Sequence, residues 1–240
     1  MRRDLTGGGG ANASVPGLFN TEMARPGAVV LNAPFLNTYV GVSDDLTLGT
    51  DLLYAVPWLV LRPAALLIGR YRVHSTTNTR TTVDTMVGGF YLGGGNGNKV
   101  HANNHVMAFG TNTLYVVSPS HHITASALAG TFGFRYVDER KPQLVELGLS
   151  GVLAGLTYTY NPTQWLAFSV MALPLSYLTG EIGEVGAIAQ LNAAEVGLKK
   201  FPWRAHASLR ASRWLFELGA MGISDSLVPW LNVALELGGP

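Results

Sequence analysis

The sequence predicts an all-β protein, in which a single antiparallel barrel of about 12 strands follows an irregular N-terminal segment. Two observations support this fold class. Apolar and polar residues alternate through many short runs, which is the period of a β-strand. Short turns rich in Ser, Asn, Asp and Pro separate the runs at intervals that fit two-stranded hairpins. The chain of 240 residues is long enough for one large all-β domain.

The N-terminal residues differ from the rest of the chain. Residues 1–25 contain four consecutive glycines, Gly7–Gly10, followed by Asn, Ser and Pro, and they show no regular alternation. We therefore assign residues 1–25 to a flexible Gly-rich segment and residues 26–240 to the barrel. The start at Met1 lacks the apolar stretch of a signal peptide. If the protein is exported, its signal is absent from this sequence.

Turn signals set the predicted strand count. Clear turns begin near Ser43, Ser118, Asn161 and Ser224, and weaker ones lie near 75–78 and 199–204. Together they give about 12 strands, with about 10 as the alternative. A strand that ran on from Ala205 past Ser212 would bring Arg213 and Glu217 onto its apolar face. A turn or bulge near residues 211–213 avoids this and favours the larger count.

Longer polar segments alternate with the short turns. The clearest are Gly93–Asn104, Asp138–Gln143 and Gly180–Gly186. Outer-membrane barrels have short turns on one rim and longer loops on the other. We therefore expect these three segments to be loops on the rim opposite the short turns.

Composition indicates two apolar environments, a core and a lipid-facing surface. Charged residues make up 13% of the chain, against about 25% in a typical globular protein, and mean hydropathy is +0.22. No apolar run has the roughly 20 residues of a membrane-spanning helix. A net charge of +1 argues against nucleic-acid binding. The absence of cysteine excludes thiol chemistry and disulfides.

Individual strands show the alternation that a barrel in a bilayer needs. In Val228–Leu237, the side chains of Leu231, Val233 and Leu235 share one face, opposite Asn232 and Glu236. The runs Leu46–Tyr54 and Ala205–Ser212 alternate in the same way. Tyr and Trp residues stand near many strand ends, as in the aromatic belts of membrane proteins.

Three hairpin segments, Thr38–Thr50, Tyr158–Phe168 and Gly222–Trp230, resemble bacterial outer-membrane β-barrel proteins as a class. In that class a strand descends, turns on Asp, Asn or Pro, and returns on an apolar residue. The resemblance implies a transmembrane β-barrel in a bacterial outer membrane, with the bilayer lipids and other envelope proteins as partners. The chain ends in Gly-Gly-Pro rather than in the terminal aromatic residue of that class.

Several ionisable and polar residues are predicted to face the lumen. Arg70, Arg72 and His74 alternate on one strand face, and they form either a cationic constriction that selects anions or charges paired with acids on neighbouring strands. Roughly balanced charge among the others suggests a salt-bridged, filled lumen. The full set of candidates is Asp51, Arg70, Arg72, His74, His206, Arg210, Glu217, Asn232 and Glu236.

The favoured function is not catalytic: a small passive pore, or a membrane-embedded scaffold of a larger assembly. One alternative is a lipid-modifying enzyme of the outer membrane, for which Asp84, His105 and Ser126 are the residues to consider. The other is a soluble lipocalin-like barrel. The six histidines form no recognisable metal motif, so we expect neither a metal nor a cofactor.

Overall fold

The computed structural model describes residues 19–33, 37–51, 64–92, 100–138, 143–184, 187–191, 202–223 and 226–238. These residues form 13 β-strands. None of them belongs to a helix with the length and hydropathy needed to cross a membrane. The strands are β1 (Ala28–Ala33), β2 (Asn37–Gly41), β3 (Leu46–Asp51), β4 (Ala64–Ser75), β5 (Thr79–Leu92), β6 (Val100–Ser118), β7 (His121–Asp138), β8 (Gln143–Tyr160), β9 (Leu166–Glu184), β10 (Ala187–Leu191), β11 (Trp203–Ala211), β12 (Trp214–Ile223) and β13 (Ser226–Gly238).

Twelve of these strands form one closed antiparallel barrel. Strands follow one another around the ring in chain order, and β1 pairs with β13 to close it, with Ala28 opposite Gly238. The exception is β10, which pairs only with the far end of β9, so that β11 takes the next place in the ring. The prediction of an all-β antiparallel barrel of about 12 strands is confirmed.

Five short turns lie at the end of the barrel where β1 begins and β13 ends, and we call this edge the short-turn rim. They comprise residues 42–45, 76–78, 119–120, 161–165 and 212–213. The predicted turns near residues 43, 75–78, 118 and 161 are confirmed, and so is the reversal near residues 211–213. Ser212 has a positive φ of 55°, which the tightest hairpin turns require.

The prediction that the turn near Ser224 belongs with the short turns was wrong. β12 ends at Ile223 and β13 begins at Ser226. Because the chain has already reversed at residues 212–213, this connection lies on the opposite rim. The predicted turn at 199–204 falls largely outside the described residues, which omit 192–201, while Trp203 and Arg204 belong to β11.

Two of the segments predicted as loops are partly strand. Val100–Asn104 belongs to β6 and pairs with β7, and residues 102–104 pair with β5 as well. Residues 180–184 belong to β9 and pair with β8 and β10. Their Gly and Asn content signals loops, but pairing on both sides satisfies the backbone and overrides that local preference. The third predicted loop, Asp138–Gln143, agrees with the described residues on either side of it, since β7 ends at Asp138 and β8 begins at Gln143.

The described strands differ in length around the ring. Strands β6 to β9 have 18 or 19 residues each, whereas β1 to β3, which border residues 34–36 and 52–63 outside the described part of the chain, are described over five or six. The outer face of β7 and β8 changes character along its length. Thr131 and Ser150, joined by a hydrogen bond of 3.1 Å, lie toward the rim opposite the short turns, whereas the exposed Val152 and Leu156 lie nearer the short turns. Among the described outward side chains of β8, the apolar ones therefore lie in the half next to the short-turn rim.

The outer face is apolar and the inner face is largely polar. On β13, Leu231 is 59% exposed while the next residue, Asn232, is 4% exposed. Phe109, Val170 and Leu218 are exposed on other strands in the same way. Six exposed Tyr and Trp residues lie near the short-turn rim, and Tyr91 and Trp203 are exposed near the opposite rim. The six are Tyr71, Tyr115, Tyr158, Tyr160, Trp165 and Trp214.

A small apolar cluster occupies part of the interior beside the polar residues. Its buried members come from five strands, β1, β2, β4, β12 and β13, and from one residue that precedes β1. Its buried members are Ala24, Val30, Tyr39, Leu66, Ile68, Leu215 and Ala234, with Met86 and Val106 packed against them. The described interior is thus filled by apolar packing on one side and by polar contacts on the other.

Candidate functional site

A layer of buried polar side chains lines the barrel interior. On β5, Arg80, Thr82 and Asp84 are all buried, because residues two apart on a strand point to the same face. Buried polar groups are usually hydrogen-bonded, and part of this layer forms a network centred on Asp84. The layer's other buried members on the strands are Asn32, Thr47, Arg70, Asn112, His122, Thr124, Ser126, Ser169, His206, Ser208, Glu217 and Asn232.

The centre of this network is an ion pair between β4 and β5. Arg70 and Asp84 are directly opposite each other in the register. Arg70 donates from Nε to Asp84 Oδ1 at 2.5 Å and from Nη2 to Oδ2 at 2.9 Å. Asn112 of β6 donates to the same Oδ2 at 2.6 Å. This two-point contact holds the guanidinium plane in one orientation.

A second cluster of polar side chains lies on β11, β12 and β13. The Glu217 carboxylate accepts hydrogen bonds from Asn232 Nδ2 at 2.9 Å and from Trp230 Nε1 at 3.4 Å. His206 Nε2 is 4.0 Å from the other oxygen of Glu217. The guanidinium of Arg204 lies over the Trp230 ring, 4.8 Å from its centroid.

Residues 19–25, which we call the N-terminal strap, enter the lumen and bind this network. The remaining Nη1 of Arg70 donates to Asn20 Oδ1 at 2.8 Å and to the Glu22 carbonyl oxygen at 2.6 Å. The backbone N–H of Ala24 donates to Thr47 Oγ1 at 3.0 Å. Arg70 therefore ties the strap to the wall of the barrel with the one nitrogen that Asp84 leaves free.

At the short-turn rim, Gly41 lies in close contact with the backbone of the strap. A Cβ at this position would clash with the carbonyl oxygen of Arg25. Gly41 also accepts a hydrogen bond of 2.9 Å from the N–H of Gly27. Nearby, Glu236 pairs with Arg210 and lies 3.3 Å from Arg25 Nε. Any residue other than glycine at position 41 would therefore displace the strap at Arg25.

A cavity of about 40 Å³ lies beside the strap. That volume accommodates a few water molecules, since one water needs about 10–15 Å³. Hydroxyl, imidazole and guanidinium groups from the wall face residues 19–22 of the strap across it. The lining residues are Phe19, Asn20, Thr21, Glu22, Leu114, His122, Thr124, Thr157, Thr159, Ser169, Arg204, His206 and Ser208. The cavity is the water-sized space that the strap leaves open in this part of the lumen.

Most of the candidates predicted from sequence lie in these networks. Arg70, His206, Glu217 and Asn232 are buried. Arg210 and Glu236, both partly buried, form an ion pair. Arg72 has a largely buried side chain, and its Nη1 is 3.6 Å from a carboxylate oxygen of Asp45 in the adjacent turn.

The strict alternation predicted from Arg70 to His74 is interrupted. Arg72 pairs with Thr82, but His74 pairs with Thr81, which marks a β-bulge at Val73. His74 therefore shares the face of Thr81, opposite to the buried Thr82, and it is exposed. Asp51 ends β3 opposite Asn37, and its side chain lies outside what the structure describes.

The residues considered for an enzyme are not brought together. Asp84 is held by Arg70 and Asn112, and Ser126 is buried on the inner face. His105 is exposed and pairs with Gly133. It lies on the outer face of the barrel wall, because it alternates with the inward positions of β6. Within the described ranges no group of three or more histidines or carboxylates could hold a metal ion.

No protein-family model matches the chain, and no curated protein matches it.

Sequence reasoning missed Asn112, Arg80, Arg204 and the contribution of the strap. One signal was available for the partner of Arg70. Arg70 and Asp84 are equally far from the turn at residues 76–78, so a hairpin centred there places them opposite each other. Contacts of the strap carry no such signal, because Asn20 and Arg70 are 50 residues apart.

Proposed function

We propose that the protein is an integral β-barrel of a bacterial outer membrane that acts as a small passive pore, narrowed by its own N-terminal strap. The observation that carries the proposal is the contrast between neighbouring residues on single strands. Leu231 is 59% exposed on the outer face and Asn232 is 4% exposed on the inner face. Exposed apolar patches of this kind are unfavourable in water and favourable against hydrocarbon.

Strand length and closure are compatible with a bilayer. A strand crosses the hydrocarbon region with about 9–11 residues when it is tilted. β11 and β12 have nine and ten residues, and β6 to β9 exceed this length with 18 or 19, whereas β1 to β3 are described over five or six residues only. Each of the 12 strands in the closed ring has a paired neighbour on both sides, as hydrocarbon requires, whereas the additional strand β10 is paired with β9 alone among the described strands. The exposed aromatic residues near the short-turn rim suit the interface between hydrocarbon and water.

The polar interior favours a pore over a sealed apolar core. Hydroxyls, imidazoles and charged groups line the cavity beside the strap. Such groups replace the hydration of small polar solutes. The lumen of a barrel of 12 strands is narrow. A short segment such as the strap can therefore reduce its width to that of a few water molecules. We therefore expect a low conductance that rises when the strap leaves.

The membrane assignment is tested by solubility. Full-length protein should require detergent to remain monodisperse, and it should insert into phospholipid vesicles and resist extraction by carbonate. A protein that stays monomeric in buffer alone, with Leu231 protected from solvent, would support the soluble lipocalin-like barrel instead.

The pore assignment is tested by conductance. Purified protein reconstituted in planar bilayers should produce small discrete steps, and liposomes that contain it should swell in solutions of small solutes. The Gly41→Ala variant, in which the added methyl group displaces the strap, should conduct more strongly. If both proteins are inserted and electrically silent, the pore assignment fails.

The filled polar layer supports a second candidate, a membrane-embedded scaffold. The contacts of Arg70 with Asp84 and with the strap close part of the lumen by side chains alone. A scaffold predicts silence in bilayers together with stoichiometric partners in a cross-linked pull-down from cell envelopes. We propose no catalytic activity, and unchanged acylation of outer-membrane lipids after incubation with the protein would agree with this.

A further inference from the structure

We propose that the lumen holds a binding site for a small oxyanion, formed by Arg72 and Arg80 beside the Arg70–Asp84 pair. The proposal deepens the proposed function, because this oxyanion would be the solute that the pore passes. The site lies on the inner face of β4 and β5, close to the short-turn rim, where the N-terminal strap enters the lumen.

The first observation is a pair of buried guanidinium groups with unused donors. Arg80 is 2% exposed, and its Nε lacks a hydrogen-bond partner among the described residues. The Arg72 side chain is 9% exposed, and its Nε also lacks a partner within that part of the chain. Buried donors are costly when nothing accepts from them, and buried charges cost more.

The second observation is that the two guanidinium groups are neighbours of like charge. Arg72 lies opposite Thr82 in the register, and Arg80 is the next inward residue of β5 toward the turn. Diagonal positions of this kind bring long side chains within reach of each other. Two positive charges at neighbouring positions repel each other, and an anion bound between them would relieve that repulsion.

The acidic groups nearby do not complete the site. Asp84 is occupied by Arg70 and Asn112. Asp45 is 3.6 Å from Arg72, but more than half of its side chain is exposed, so water screens the pair. For Arg80, no carboxylate within 4 Å is found among the residues that the structure describes.

The strap brings a carboxylate to this region without an ion pair. Glu22 is bound through its backbone carbonyl, by Arg70. Its carboxylate makes no ion pair within 4 Å with any described residue. A free solute that accepts directly from Arg72 and Arg80 would make contacts that the strap does not make.

The donors define the class of ligand. Guanidinium N–H groups bind planar carboxylates and tetrahedral phosphates with charge-assisted hydrogen bonds, and each such ligand offers two or more oxygens to two donors. Chloride offers a single atom. We therefore expect small carboxylates and phosphates to bind and chloride to compete weakly.

The test is calorimetric titration of inorganic phosphate, and separately of acetate, into the full-length barrel in detergent at constant ionic strength. Wild type should bind at least one of the two. Arg80→Gln and Arg72→Gln should each weaken binding by about ten-fold or more, the usual effect of losing a charged hydrogen-bond donor. Arg213→Gln is the matched control, because Arg213 is an exposed arginine in a turn of the same rim, and its binding should equal that of wild type.

Two results would overturn the proposal: no binding of either anion to wild type, or equal binding by Arg80→Gln and Arg213→Gln. If Arg80→Gln does not fold, Arg80→Lys keeps the charge and removes the Nε donor, and it should still bind more weakly than Arg213→Gln. Bilayer recordings on the same samples separate the two hypotheses. Binding without conductance refutes the pore and retains the site, whereas conductance without binding refutes the site and retains the pore.

Discussion

At the scale of single residues, Arg70 has the most consequential contacts. Its side chain binds Asp84 through two nitrogens and the strap through the third. We expect Asp84→Asn to destabilise the barrel by about 3–5 kcal/mol, because it leaves a buried cation without its counter-ion. The measurement is the free energy of unfolding in urea for protein refolded into vesicles.

Glu146→Gln is the control for this experiment, since Glu146 is an exposed residue of β8 that also loses one negative charge. It should change stability by less than about 0.5 kcal/mol. Equal losses in the two variants would mean that the Arg70–Asp84 pair is no more important than a surface charge.

Glu22 gives the strap a pH dependence. Burial raises the pKa of the Glu22 carboxyl, while the positive charges of Arg80, Arg70, Arg210 and Arg72 oppose that rise. The docked carboxyl therefore holds its proton more tightly than the displaced one. Docking is strongest below the ordinary pKa of 4.5 and weakens as the pH rises through the raised value.

We expect acidification to reduce the open time of the wild-type pore in bilayer recordings. Glu22→Gln, which is neutral at every pH, should show a short open time at pH 7 and a smaller response to acid. Glu146→Gln should keep the wild-type response. An unchanged pH response in Glu22→Gln would assign the effect to other groups in the lumen.

At the scale of elements, the strap depends on Gly41. The methyl group of Gly41→Ala would clash with the carbonyl oxygen of Arg25, so residues 24–25 must move. We expect Asn20, freed from Arg70, to become accessible. Because the chain contains no cysteine, an Asn20→Cys substitution reports this directly, and its labelling by a maleimide should be several-fold faster in the Gly41→Ala background.

Gly148→Ala is the matched control, because a Cβ there meets nothing within 4 Å. It should leave the labelling rate of Asn20→Cys unchanged. If both alanine variants label at the same rate, the absence of a side chain at position 41 is not what keeps the strap in place.

The elements also show how far sequence reasoning reaches. Period-two alternation identified the faces of β11 and β13, since His206 and Ser208 are buried and Leu209 is exposed, as predicted. Alternation fails where the chain departs from regular pairing, as at the bulge beside Val73. It also says nothing of the strap, whose contacts join residues far apart in sequence and follow from the closed shape of the ring.

At the scale of the whole molecule, the barrel exposes apolar side chains and buries charges, the reverse of an ordinary soluble protein. In a bilayer, the cost of an outward charge depends on depth. We expect Leu231→Arg, within β13, to destabilise the protein by about 2–4 kcal/mol in phospholipid vesicles, and Ser226→Arg, at the rim of the same strand, by about 0–1 kcal/mol.

Both substitutions add the same side chain to an exposed position of one strand, so the difference between them reports the surroundings. The measurement is reversible unfolding in urea, monitored by tryptophan fluorescence, in vesicles of a phosphatidylcholine with short acyl chains. Water on the outside of the barrel would make the two arginines nearly equivalent, because an exposed substitution in water changes stability by about 0.5 kcal/mol or less. Equal unfolding free energies would therefore contradict a lipid-facing surface, and the proposed pore would lose its membrane.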